Sequence, residues 1–204
     1  MDIELVNPTP IGLSTESRFS PPRARADSGS GCASRRPVLW DHMQPFQLSD
    51  EYYTALGKMT VAWNSVEIPL EFITGVLFVH CDGTRFEKRL PRPLERKIDF
   101  CRKCVDSTPD LRAFRDGIFQ ILDRTEQLSD ARHHMIHGLV DNFTPVPDDM
   151  IIIRKLVYGQ TEHSLSERRT SLGDIARLTQ EMTALGAACS QATEWLVKHI
   201  GERE

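Results

Sequence analysis

The chain has 204 residues, a net charge of −4, 40 % apolar residues and 26 % charged residues. That length suits one domain with a substantial core rather than two, and the slightly acidic balance excludes a surface that attracts nucleic acid as a whole, so any anion site must be local. Five cysteines with a single C-x-x-C pair, Cys101 and Cys104, lack the second pair of a structural zinc site.

Residues 1–45 are rich in Ser, Pro, Arg and Gly and poor in apolar side chains, most clearly from Ser14 to Pro37. Such a segment buries too little surface to offset the entropy of ordering, so it is expected to be a disordered tail. Its first residues, MDIELVNPTP, have neither the positive nor the apolar region of a signal peptide. Met43 opens the better-patterned region and is a candidate initiator. The folded domain is expected over 46–204. The most apolar run, Ile68 to Val79, is short and contains Glu71, so a soluble cytoplasmic protein is expected.

The first helix is predicted from about Ser49 to His80. Leu56, Met59, Trp63, Val66, Leu70, Ile73 and Leu77 recur in steps of three and four. Pro69 interrupts the run and should kink it. Leu94, Ile98, Cys101 and Val105 mark a shorter second helix. In that setting Cys101 and Cys104 read first as small helix residues and only second as metal or redox groups.

A third helix is expected from Pro109 to His137 with Leu111, Phe114, Ile118, Ile121, Thr125, Leu128, Arg132 and Met135 on one face. Gly138 follows as a stop. Met150 to Tyr158 has strand composition, so a small hairpin or extended flap should precede the last helix. Gly159 to Thr170 reads as polar loop. The last helix begins at Ser171, with Asp174 three residues on as a capping box, and ends near Gly201. Four amphipathic helices with short links predict an all-α, up-and-down four-helix bundle.

The strongest chemical signal is Arg132-His133-His134-Met135-Ile136-His137-Gly138. Arginine holds a phosphate with two hydrogen bonds and keeps its charge. Histidine exchanges protons near neutral pH. Together they are the tools for cleaving RNA without a metal. Each residue also has a plainer reading. Arg132 lies on an apolar seam, where an ion pair with Glu67 would account for it. His137 suits the negative end of a helix dipole. His133 and His137 have metal-ligand spacing, but no carboxylate or cysteine pattern completes a site, so no metal or cofactor is expected. On one straight helix Arg132 and His137 stand about 140° apart. They converge only if the helix unwinds near Gly138 or if a two-fold mate brings its own motif across.

A basic run from Arg85 to Lys103 holds eight Lys or Arg against three acids. Arg89, Arg92, Arg96 and Lys97 could track a phosphate backbone, although a solvated helix face is the commoner reason for such a run.

At these residues the chain resembles the HEPN domains (higher eukaryotes and prokaryotes nucleotide-binding). Their mark is R-x4–6-H, usually with a polar residue directly after the Arg and often a Gly after the His. Here Arg132, His133, His137 and Gly138 fill those places. Ala62-Trp63-Asn64-Ser65-Val66-Glu67 also resembles the first helix of small bacterial members. The likeness spans Gln44 to Ile200 in architecture and about ten residues in motif. It departs from the common form in having His133 where Asn is commoner, and in Pro69. The resemblance implies a helical, dimeric, metal-independent endoribonuclease, of the kind found among toxins and phage-defence components held in check by a protein partner such as an antitoxin. It implies His137 as general base or acid, Arg132 as phosphate clamp, His133 as a supporting polar group, and His134 and Glu67 as neighbours. Many HEPN domains are instead inactive interaction modules, and a non-catalytic helical dimer is the competing expectation.

Overall fold

The computed structural model describes residues 48–141, 146–147, 150–158 and 163–201. The expected tail over 1–45, with Met43, lies outside the described residues.

Helix α1 spans Asp50–His80 and runs unbroken through Pro69. Its seam of Met59, Trp63, Val66, Leu70, Ile73 and Leu77 is buried. By length and composition α1 is apolar enough to cross a bilayer, yet this seam is packed inside the protein. Ser49 takes the extended N-cap backbone without a side-chain cap bond, and Asp50 and Glu51 meet the positive end of the dipole.

Helix α2 spans Leu94–Ser107. The third helix is shorter than its apolar spacing suggests. Pro109–Phe114 forms a 3-10 turn, with Leu111 N donating to Thr108 O at 3.0 Å, and α3 proper covers Arg115–His137. Helix α4 spans Leu172–Gly201. Its start is a reciprocal capping box. Asp174 N donates to Ser171 Oγ at 3.1 Å, and Ser171 N donates to Asp174 Oδ2 at 3.0 Å.

Helices α1 and α4 pack most extensively on each other. Gly186 permits their close approach: a Cβ there would strike the Ser65 side chain and sit 2.8 Å from the Ser65 carbonyl oxygen. One core cluster gathers Met59, Trp63 and Val66 with Leu128, Ile153 and Met182. A second gathers Leu70, Ile73 and Leu77 with Phe100, Cys104 and Leu196. Helix α1 serves both.

Between α3 and α4 lie β1 (Leu139–Asp141), β2 (Met150–Tyr158) and β3 (His163–Ser171), an antiparallel sheet in the order β1-β2-β3. This sheet overturns the all-α bundle read from the sequence. Among the described residues 74 % are helical, but four helices are combined with three paired strands. The element that the sequence hid is β3. It pairs with β2 along its whole length, Met150 opposite Ser171 through Tyr158 opposite His163. Its composition, HSLSERRTS, is polar because the strand forms the edge of the sheet, where charged side chains are common. Hydropathy alone therefore reads it as loop.

Candidate functional site

The last turn of α3 lies against β2 and fixes the histidine cluster. His134 is 6 % exposed, and its Nε2 lies 3.1 Å from the Ile153 carbonyl oxygen. A carbonyl only accepts, so this ring carries its proton on Nε2. His134 therefore ties helix to sheet.

Gly138 follows with φ −79° and ψ 156°, an extended backbone, so it is not a left-handed helix stop. The need for glycine is steric. A Cβ at Gly138 would collide with Ile153 Cγ2 and lie 2.7 Å from the His134 carbonyl oxygen.

His133 and His137 sit either side of His134 and are exposed, their ring centroids 4.5 Å apart at 48°. Partial desolvation lowers the pKa of His133 below the ordinary imidazole value. The positive charges of Lys155, His137 and Arg132 lower it further, against an opposing pull from Asp130. His133 thus stands in the field of Arg132 and His137 and of a lysine on β2 that the motif did not indicate.

Arg132 is half-buried at the flank of the seam, which runs instead through Leu128, Ala131, His134 and Met135. Its Nε is buried without a hydrogen-bond partner. Glu67, also half-buried, makes no ion pair with it: among the described residues no carboxylate lies within 4.0 Å of this guanidinium. The ion pair with Glu67 expected for Arg132 is therefore not formed.

The basic run is divided. Arg96 pairs with Glu87 at 2.6 Å, and the buried Lys97 ammonium pairs with Glu71. Arg89 and Arg92 are exposed. Lys97 is thus committed to the fold, and the run does not present one continuous basic strip.

Cys101 and Cys104 are fully buried, and burial pushes their thiols up to about 11 and about 12. They remain protonated at neutral pH and serve as core residues. Among the described residues no group of three His, Cys, Asp or Glu is arranged to hold a metal.

A shallow groove of about 580 Å³ lies elsewhere, between the first turns of α1 and α4, and carries Asp50 and Glu51. Its acids suit a phosphate poorly.

The structure thus brings His133, His137, Arg132 and Lys155 to the junction of α3 and β2, while it turns His134 inward and leaves Glu67 unpaired with Arg132. Sequence reading missed Lys155. The available signal was its place two residues beyond Ile153 on a strand whose side chains alternate between faces. Comparison with protein-family models, curated proteins and solved structures found no match.

Proposed function

We propose that this chain is a metal-independent endoribonuclease acting through Arg132 and His137, with His133 beside them. The observation that supports it is the buried, partnerless Arg132 Nε next to an exposed pair of imidazoles in contact. A guanidinium at such a position without an acid is costly unless solvent or a ligand reaches it.

In this reading one imidazole accepts the proton of a ribose 2′-hydroxyl. The freed oxygen attacks the adjacent phosphorus, and the bond to the 5′-oxygen breaks. The products are a 2′,3′-cyclic phosphate and a 5′-hydroxyl, whose proton comes from the second ring or from water. Arg132 stabilises the charge growing on the phosphoryl oxygens. The lowered pKa of His133 keeps a neutral, proton-accepting ring at neutral pH. Two protomers place their motifs face to face in a cytoplasmic dimer, restrained by a protein partner of the antitoxin kind.

The test is cleavage of total RNA by the purified full chain in EDTA. Wild type should cut, and Arg132→Ala and His137→Ala should each lose about 10²-fold or more. No cleavage by wild type, or equal cleavage by both variants, ends the proposal.

A second reading, a non-catalytic dimerisation module, has its own observation. Val61, Ile68, Phe72 and Val79 form an outward stripe on α1, each more than half exposed (70 %, 58 %, 62 % and 71 %). Steps of seven, four and seven place them on one face, opposite the buried seam, where a second helix would cover them.

A further inference from the structure

The unpaired charge at this junction is not confined to Arg132. Among the described residues the Lys and Arg side chains that are at least partly buried are Lys97, Arg102, Arg115, Arg124, Arg132, Arg154, Lys155 and Arg168. Five have a carboxylate: Lys97 with Glu71, Arg102 with Asp123, Arg115 with Asp106, Arg124 with Glu181, and Arg154 with Asp141. The three that have none are Arg132, Lys155 and Arg168. They share one place in the fold.

The register explains why. Residues directly opposite on antiparallel strands share a face. Val140, Ile153 and Arg168 lie in one row across the sheet, and Lys155 lies opposite Ser166 in the next row on the same face. This is the face that meets the end of α3, where Ile153 Cγ2 fills the space beside Gly138. It carries no acid. The acids Asp141 and Glu167 stand on the other face, where they take up Arg154 at 3.0 and 3.2 Å. The sheet has therefore sorted its charges, and the two cations on the helix side have no counter-ion among the described residues. The buried side-chain nitrogen and oxygen atoms that lack a partner among the described residues, Arg132 Nε and Thr170 Oγ1, belong to this same helix end and this same face.

We infer that Lys155 and Arg168 form a phosphodiester-binding subsite on the sheet, beside Arg132 and the His133–His137 pair, that holds the backbone of a single-stranded RNA across the end of α3. The electrostatics call for such cations. The C-terminal end of a helix presents about half a negative charge, which by itself repels a phosphate. Three full positive charges from Arg132, Lys155 and Arg168 outweigh it. The ligand follows from the ribonuclease reading, but the subsite itself stands on the placement of charge and is testable apart from cleavage.

The experiment is a fluorescence-anisotropy titration of a labelled 2′-O-methyl RNA oligonucleotide, which lacks the attacking hydroxyl and is not cleaved. It is run with the full chain across a series of KCl concentrations. Lys155→Gln and Arg168→Gln should each weaken binding several-fold. Each should also reduce the slope of log affinity against log salt by about 0.7, the value for one lost contact to a single strand. Lys155→Arg should restore binding, and Lys198→Gln, on α4, should bind as wild type does. Wild-type affinity and slope in both Gln variants, or no binding by wild type, overturns the subsite. Binding with these dependences but without cleavage of ordinary RNA keeps the subsite and removes the ribonuclease reading. Cleavage that needs Arg132 and His137 in a protein whose Gln variants bind normally does the reverse.

Discussion

His134 Nε2 donates to the Ile153 carbonyl across 3.1 Å, and this bond sets the distance between the last turn of α3 and the sheet. On either side of it His133 and His137 are left facing outward. Replacing His134 with Ala removes the donor and leaves the Ile153 carbonyl dependent on its ladder partners. The expected loss is about 1–3 kcal/mol, read as a lower midpoint in urea unfolding. Because the cluster hangs on this contact, RNA binding should weaken along with stability.

Arg132→Met should behave in the opposite way. It removes a buried, unpartnered Nε and keeps the apolar stem that packs at the seam. Stability should be unchanged or higher by about 1 kcal/mol, while cleavage is lost. A stability loss of several kcal/mol would instead mark Arg132 as a structural ion-pair partner.

Gly138→Ala drives a Cβ into Ile153 Cγ2. Overpacking of this kind costs about 1–3 kcal/mol, measurable by thermal melting. Ile153→Ala in the same chain should recover part of the Gly138→Ala penalty relative to the sum of the two single changes, since it removes the colliding methyl.

The pH dependence follows from His133. Its pKa is lower in the folded protein than in the unfolded chain, so the unfolded state binds the proton more readily. The contribution of this ring to stability is fully present above its ordinary pKa and is lost as pH falls through that value to the folded one. A bound polyanion reverses the local field. In a proton NMR titration the His133 ring should titrate below about 6.5 in the free protein. Addition of the 2′-O-methyl oligonucleotide should move that transition upward. An unmoved transition in the presence of saturating ligand would place the RNA away from this ring.

The α1 stripe gives a prediction that tests the contact on which the second reading rests. Phe72→Glu should lower the molar mass seen by light scattering from dimer to monomer if that face joins two copies, with little change in melting temperature because Phe72 is 62 % exposed. Wild-type mass in this variant would remove the stripe from the dimer contact.

The helices were legible because their apolar residues repeat at helical spacing over long stretches. Met59 to Leu77 reads directly as a buried seam, and Ser171 with Asp174 reads directly as a helix start. β3 was not legible, because an edge strand has little apolar content to display and its partner is chosen by backbone bonds. The same limit applied to the site. Arg132, His133 and His137 lie within six residues and form a visible motif, whereas Lys155 comes to them only through the strand register. His134 looked equivalent to its neighbours in the chain. Only the crossing of β2 sets it apart as the one that turns inward.

Helix α1 is a single rod threaded through two cores, with Trp63 in one and Leu70 in the other. Neither half can therefore melt while the other keeps its full set of neighbours. Calorimetry of residues 48–204 should show one cooperative peak, and damage at Phe100, far along the chain from the histidines, should loosen the histidine end by the same amount as it loosens its own.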